Sequence, residues 1–184
     1  AGDVFDSVYV PTLGGGGGSK GTSGTRAGNG GGILRLSAAS VLVDGALRSQ
    51  GEQRSIPNGY GDSSGAGGSI LVTAGSFSGT GTIEASGGDY NDYNVYGGSG
   101  GGGRIALLVD TLTGFDPATQ TKAWGGTLFR GSNVIRYGGP GTVYVKQASE
   151  TYGRLIVDSG KLANGTERTG PLTCLLYTSP SPRD

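Results

Sequence analysis

The sequence predicts an all-β chain, specifically a glycine-rich β-solenoid or right-handed parallel β-helix with repeats of about 36 residues; stacked antiparallel sheets joined by glycine-rich loops are the alternative. Three observations lead there. Glycine-led apolar starts recur along the chain, the apolar runs between glycines are short and rich in β-branched residues, and no segment holds a 3.6-residue period for three turns.

The recurrence is the strongest of the three. GGILRL (31–36), GGSILV (67–72), GGRIAL (102–107) and GPGTVYV (139–145) begin successive units, and their first apolar residues, Ile33, Ile70, Ile105 and Val143, stand 37, 35 and 38 apart. A second column runs through Val41, Phe77 and Phe115, and a third through Leu47, Ile83 and Thr121. Columns that keep step over several units mark a stacked array in which like residues lie over like. Ile33, Ile70 and Ile105 are therefore expected at equivalent inward positions, with Ser69 pointing outward.

Runs such as Ile70-Leu71-Val72 and Thr82-Ile83-Glu84-Ala85, bounded by Gly, Ser and Thr, have the composition of strands. Glycine every few residues would cost a helix about 1 kcal/mol each time. The glycine runs at 14–18 and 97–103 read as loops returning the chain to the next strand.

Composition sets the limits of this reading. With 41 glycines and seven prolines in 184 residues the chain approaches low-complexity composition, and Leu, Ile, Val and Phe together number only 38. Charge repulsion does not oppose folding, because 14 Lys+Arg balance 14 Asp+Glu. The same balance favours neither nucleic acid nor an anionic membrane as partner, and no apolar stretch is long enough to span a bilayer.

The chain divides into a single glycine-rich β-repeat domain, residues 1–173, expected to be truncated at both ends, and a tail, 174–184. There is no Met, so the true start and any signal peptide are expected upstream. The tail CLLYTSPSPRD lacks glycine and carries Ser-Pro pairs; written back into codons it resembles a translated transposase-type sequencing adapter rather than evolved protein. It holds the only cysteine, so the repeat domain has neither disulfides nor thiolate metal sites.

The ordered series SVYVPTLGGGGG (7–18), GGGILRLSAASVLVDGALRSQGE (30–52), GAGGSILVTAGSFSGTGTIEASGG (65–88), GSGGGGRIALLVDTLTGF (98–115), YGGPGTVYVK (137–146) and YGRLIVDSG (152–160) resembles the glycine-rich repeat regions of very large secreted or cell-surface proteins. That resemblance implies a β-helix-like segment of a long extracellular protein with a structural or adhesive, non-catalytic role. Its expected partners are extracellular glycans or neighbouring repeats of the same protein. No catalytic motif transfers with it, and no cofactor or metal is expected.

Few chemistry-bearing residues compete with that role. Without histidine the commonest general base and the usual hydrolytic triads are absent. A polysaccharide-active β-helix enzyme would need clustered carboxylates, for which Glu84, Asp89 and Asp92, or Asp110 and Asp116 with Arg104 and Lys122, are candidates; they are expected to be solvated surface charges instead. GSGGGG (98–103) fits a dinucleotide fingerprint trivially, and GGGGGSKGT (14–22) misses a phosphate loop because Ser19 precedes Lys20. In GGDYNDYNVYGG (87–98), Tyr90, Tyr93 and Tyr96 alternate with Asp92 and other polar groups, the composition of a carbohydrate-binding module in which rings stack on sugars, or of a tyrosine-rich loop that packs on the flank. Asn164 begins a glycosylation sequon. Trp124 and Tyr137 are expected to pack at the edge of the stack.

Overall fold

A computed structural model of the chain describes residues 6–21, 26–55, 61–91, 97–158, 160 and 172–175. Strands are the dominant element of the described residues, with almost no helix. The strands are β1 (Ile33–Leu42), β2 (Ala46–Arg48), β3 (Arg54–Ser55), β4 (Ser69–Ser78), β5 (Thr82–Glu84), β6 (Tyr90–Asn91), β7 (Arg104–Thr113), β8 (Thr121–Lys122), β9 (Thr127–Arg130), β10 (Asn133–Tyr137), β11 (Thr142–Gln147), β12 (Arg154–Val157) and β13 (Leu172–Leu175). A single turn of helix, α1 (Pro117–Gln120), interrupts them.

These strands form three sheets, ordered β1-β4-β7-β11-β12-β13, β2-β5-β8 and β10-β9-β6-β3. In each, strands one unit apart in sequence lie side by side and parallel. Antiparallel pairing is confined to β9–β10 and to β11–β12–β13. Through β13, Cys174 and Leu175 of the expected tail pair with Leu155 and Arg154; residues 176–184 lie outside those described, as does Asn164.

The large sheet supplies the core. Ile70, Val72, Ala74 and Phe77 of β4 point inward with Ile105, Leu107 and Val109 of β7 and Val143 and Val145 of β11. Burying side chains of this size contributes about 1.5–3 kcal/mol each. The third expected column holds: Leu47 pairs with Ile83, and Ile83 with Thr121.

The other two columns need correction. Ile33 pairs with Ser69 and is 51% exposed, whereas Leu34 pairs with Ile70, Ile70 with Ile105, and Ile105 with Val143. The glycine pair sets this register. One residue after it faces outward (Ile33, Ser69, Arg104), and the next faces the core. In the second column Leu112, not Phe115, pairs with Phe77. Gly114, with φ 67°, turns the chain at the end of β7, and Phe115 comes to rest edge-on against Phe77 with ring centroids 4.9 Å apart.

Ser69 also departs from expectation: it faces outward yet is fully buried. Residues 6–13 lie across the outer face of the large sheet, and the Ser69 hydroxyl donates to Leu13 O at 2.6 Å. Tyr9 meets Tyr144 edge-to-face at 4.8 Å, Arg35 donates to Pro11 O, and Arg104 Nε pairs with Asp6 at 3.4 Å. Asp6 ties this strap together, accepting from the main-chain N–H of Ser7, Thr12 and Leu13 and from the Thr12 hydroxyl. Burial pushes its pKa up, but the N–H donations of Leu13, Ser7 and Thr12, with the Thr12 hydroxyl, outweigh it and bring the carboxyl down from 3.8 to about 2. The stabilisation that the Asp6 carboxylate lends the strap is therefore fully present above pH 3.8 and lost as pH falls through about 2. Asp6→Asn should cost about 1.5–3 kcal/mol at neutral pH and progressively less as the pH falls from 3.8 through about 2, a difference read from urea midpoints of the two proteins across that range.

The glycine runs are not loops. Segment 63–68 donates in three directions in turn: Ser63 and Ala66 to Ser19 O and Gly16 O, Ser64 and Gly67 to Gly98 O and Gly101 O, Gly65 and Gly68 to Glu52 O and Ser49 O, all between 2.7 and 3.1 Å. Donors to one neighbour recur every third residue, the period of a polyproline II helix. Its carbonyls accept from Gly28 and Gly31 and from Gly88, so the segment is surrounded by five others. Extended glycine segments packed this closely form a second, polar interior beside the apolar one, in which main-chain hydrogen bonds take the place of side-chain contacts. Charged groups pin its rim: the fully buried Asp62 carboxylate accepts from the main chain of Gly21 and Arg26, and Glu52 pairs with Arg26 and accepts from Asn29 N–H.

Candidate functional site

A groove of about 330 Å³ lies on the outside of the β2-β5-β8 sheet and continues past its strand ends. Its first row is fixed by strand register, Glu84 beside Lys122, with Arg48 on the other side of Glu84 and outside the lining. Glu84 is only 8% exposed and is held between its neighbours, accepting from Arg48 Nε at 3.2 Å and pairing with Lys122 Nζ at 3.1 Å. Gln50 Nε2 reaches the same carboxylate at 3.3 Å.

A second row follows. The Gly51 N–H donates to Ser86 O and the Gly87 N–H to Trp124 O, which carries the register on and sets Gln50, Ser86 and Trp124 one after another along the stacking direction. The indole is fixed from behind, its Nε1–H donating to Asp158 at 3.1 Å. Gly160 lies so close to the ring that a Cβ there would come within 3.0 Å of it. Lys122 Nζ stands 5.3 Å from the ring centroid, within cation–π range. Asp89 closes the far end, with Oδ1 accepting from the Thr127 N–H at 2.6 Å.

The structure thus gathers three of the weighed residues, Glu84, Asp89 and Lys122, and disperses the rest. Asp116 caps α1, accepting from the Ala118 N–H at 3.0 Å, Arg104 belongs to the Asp6 strap, and Asp110 is exposed on β7. Of the tyrosine-rich loop, Tyr90 is fully buried and packs against Gly97; Asp92, Tyr93 and Tyr96 lie outside the described residues. Tyr137 sits beside Gly97, Gly98 and Arg136 around a smaller hollow. No cluster of three or more potential metal ligands occurs among the described residues, and no helix of the structure is long and apolar enough to cross a membrane.

Sequence reasoning missed Gln50, Ser86 and Thr127 and assigned Trp124 to edge packing. The signal was present in the numbering: Gln50, Ser86 and Trp124 stand 36 and 38 apart, the same steps that separate Leu47, Ile83 and Thr121. Compared with known protein families, curated proteins and solved structures, the chain matches none of them.

Proposed function

We propose that this chain is a solenoid segment, of the parallel β-helix type, in a large extracellular or cell-surface protein, where it serves as a stiff structural or adhesive spacer without catalysis. The observation that carries the reading is the in-register parallel pairing of all three sheets at a displacement of one unit, β1 to β4 to β7, β2 to β5 to β8 and β3 to β6 to β9. A chain that advances one strand spacing, about 4.8 Å, per unit is a rod whose length grows with repeat number. Main-chain bonding between glycine segments stiffens such a rod without requiring large side chains. The surface setting rests on the resemblance of its glycine-led motifs to repeat regions of large secreted proteins.

Stacking has a direct test. Ser69 and Arg104 occupy equivalent register positions, so residues 69–103 constitute one whole unit. Inserting a second copy of that unit after Gly103 should give a folded protein, longer by one strand spacing, that unfolds cooperatively in urea. Small-angle scattering and denaturation measure both. Collapse of the lengthened chain, with tolerance of an insertion half that size, would overturn the solenoid reading.

A binding role is the second reading, favoured by the groove that holds Trp124.

A further inference from the structure

We propose that the Trp124 groove is a binding site for a linear, neutral polysaccharide lying along the stacking direction. Four features of the groove specify that ligand. Its two rows, Glu84-Lys122 and Gln50-Ser86-Trp124, are built from equivalent positions of two and three successive units, so polar groups repeat at the strand spacing of about 4.8 Å. That spacing is close to the length of one hexopyranose residue in an extended chain, so successive sugars meet successive units.

The polar groups suit hydroxyls. Glu84 and Asp89 offer carboxylate oxygens, and Gln50, Lys122 and Ser86 bring amide, ammonium and hydroxyl donors. Most of these are already oriented by bonds to protein, so their ordering cost is met before a ligand arrives. Trp124 supplies the apolar element: it is half-buried and fixed by Asp158 and Gly160, and it lines the groove at the end of the second row. A rigid ring beside fixed polar groups takes the C–H face of a pyranose while its hydroxyls are bonded around the rim. Finally, the groove carries no excess of positive charge. Lys122, with Arg48 beside Glu84, stands against Glu84 and Asp89, and Asp158 holds the indole, so a uronate chain gains no net attraction.

Trp124 is the only tryptophan of the chain, so its fluorescence reports on this site alone. The full chain should be titrated to millimolar concentration with cellohexaose, xylohexaose and mannohexaose, and with hexagalacturonate as the acidic counterpart. The expected result is a saturable change in emission with at least one neutral hexasaccharide, and at least tenfold weaker affinity for its disaccharide. By calorimetry, Gln50→Ala should weaken the responding sugar several-fold and Trp124→Ala at least tenfold. Gln50 is exposed, so its variant keeps the test alive should Trp124→Ala fail to fold. Absence of any emission change with the neutral sugars, a response to hexagalacturonate alone, or undiminished affinity in the Gln50→Ala protein would each overturn the proposal.

Discussion

Gly65→Ala is expected to abolish cooperative folding, although it adds one methyl group. A Cβ at Gly65 would lie well under 3.0 Å from the carbonyl of Asn29, and that carbonyl already accepts from the Glu52 N–H. The neighbours cannot move away cheaply. The Gly65 N–H donates to Glu52 O at 3.1 Å and its carbonyl accepts from Gly88 at 2.9 Å, so a shift on one side breaks bonds on the other. Strain of this kind costs about 1–3 kcal/mol in an apolar core that can repack; here buried main-chain groups also lose partners, at about 1–3 kcal/mol each. Gly32→Ala is the control, since a Cβ there meets nothing within 4 Å. It should leave stability within about 1 kcal/mol of the parent. Urea unfolding followed by circular dichroism compares the two; equal tolerance would show that the glycine segments are not closely packed.

Ile70→Asp is expected to be as damaging for a different reason. Ile70 is fully buried in the middle of the column Leu34, Ile70, Ile105 and Val143, where a carboxylate would find no partner and would cost several kcal/mol in desolvation. Ile70 lies on β4, which pairs with β1 on one side and β7 on the other, so the damage reaches both neighbouring strands. Thr73→Asp, exposed on the same strand, should cost about 1 kcal/mol or less and leave the thermal midpoint little changed. Ser69 is no such control, since its hydroxyl is buried beneath the strap formed by residues 6–13. A protein that melts alike with Asp at 70 or at 73 would have no core along this column.

Large side chains leave a periodic signal. Leu47, Ile83 and Thr121 could be placed in one column from spacing alone, and the all-β composition followed from short β-branched runs between glycines. Even the slip at Ile33 was correctable in principle, because aligning the glycine pairs Gly31-Gly32, Gly67-Gly68 and Gly102-Gly103, rather than the first apolar residues, puts Leu34 opposite Ile70.

Glycine leaves no comparable signal. A residue without a side chain looks the same in a loose loop as in a packed interior, and only the neighbouring segments decide which it is. Segments 14–18 and 97–103 read as returning loops, yet both bond to segment 63–68, from more than forty and about thirty residues away along the chain. The groove depends on distance in the same way. Glu84 and Lys122 are 38 residues apart and become a 3.1 Å ion pair only because β5 and β8 lie side by side, and Trp124 is held by Asp158 from a later strand end. Strand content and stacking period were thus determined by the sequence itself, through the side chains that must leave water. The polar glycine interior and the grouping of Gln50, Glu84, Lys122 and Trp124 were decided by tertiary structure, because both arise from main-chain and polar contacts between units, whose partners no local pattern names.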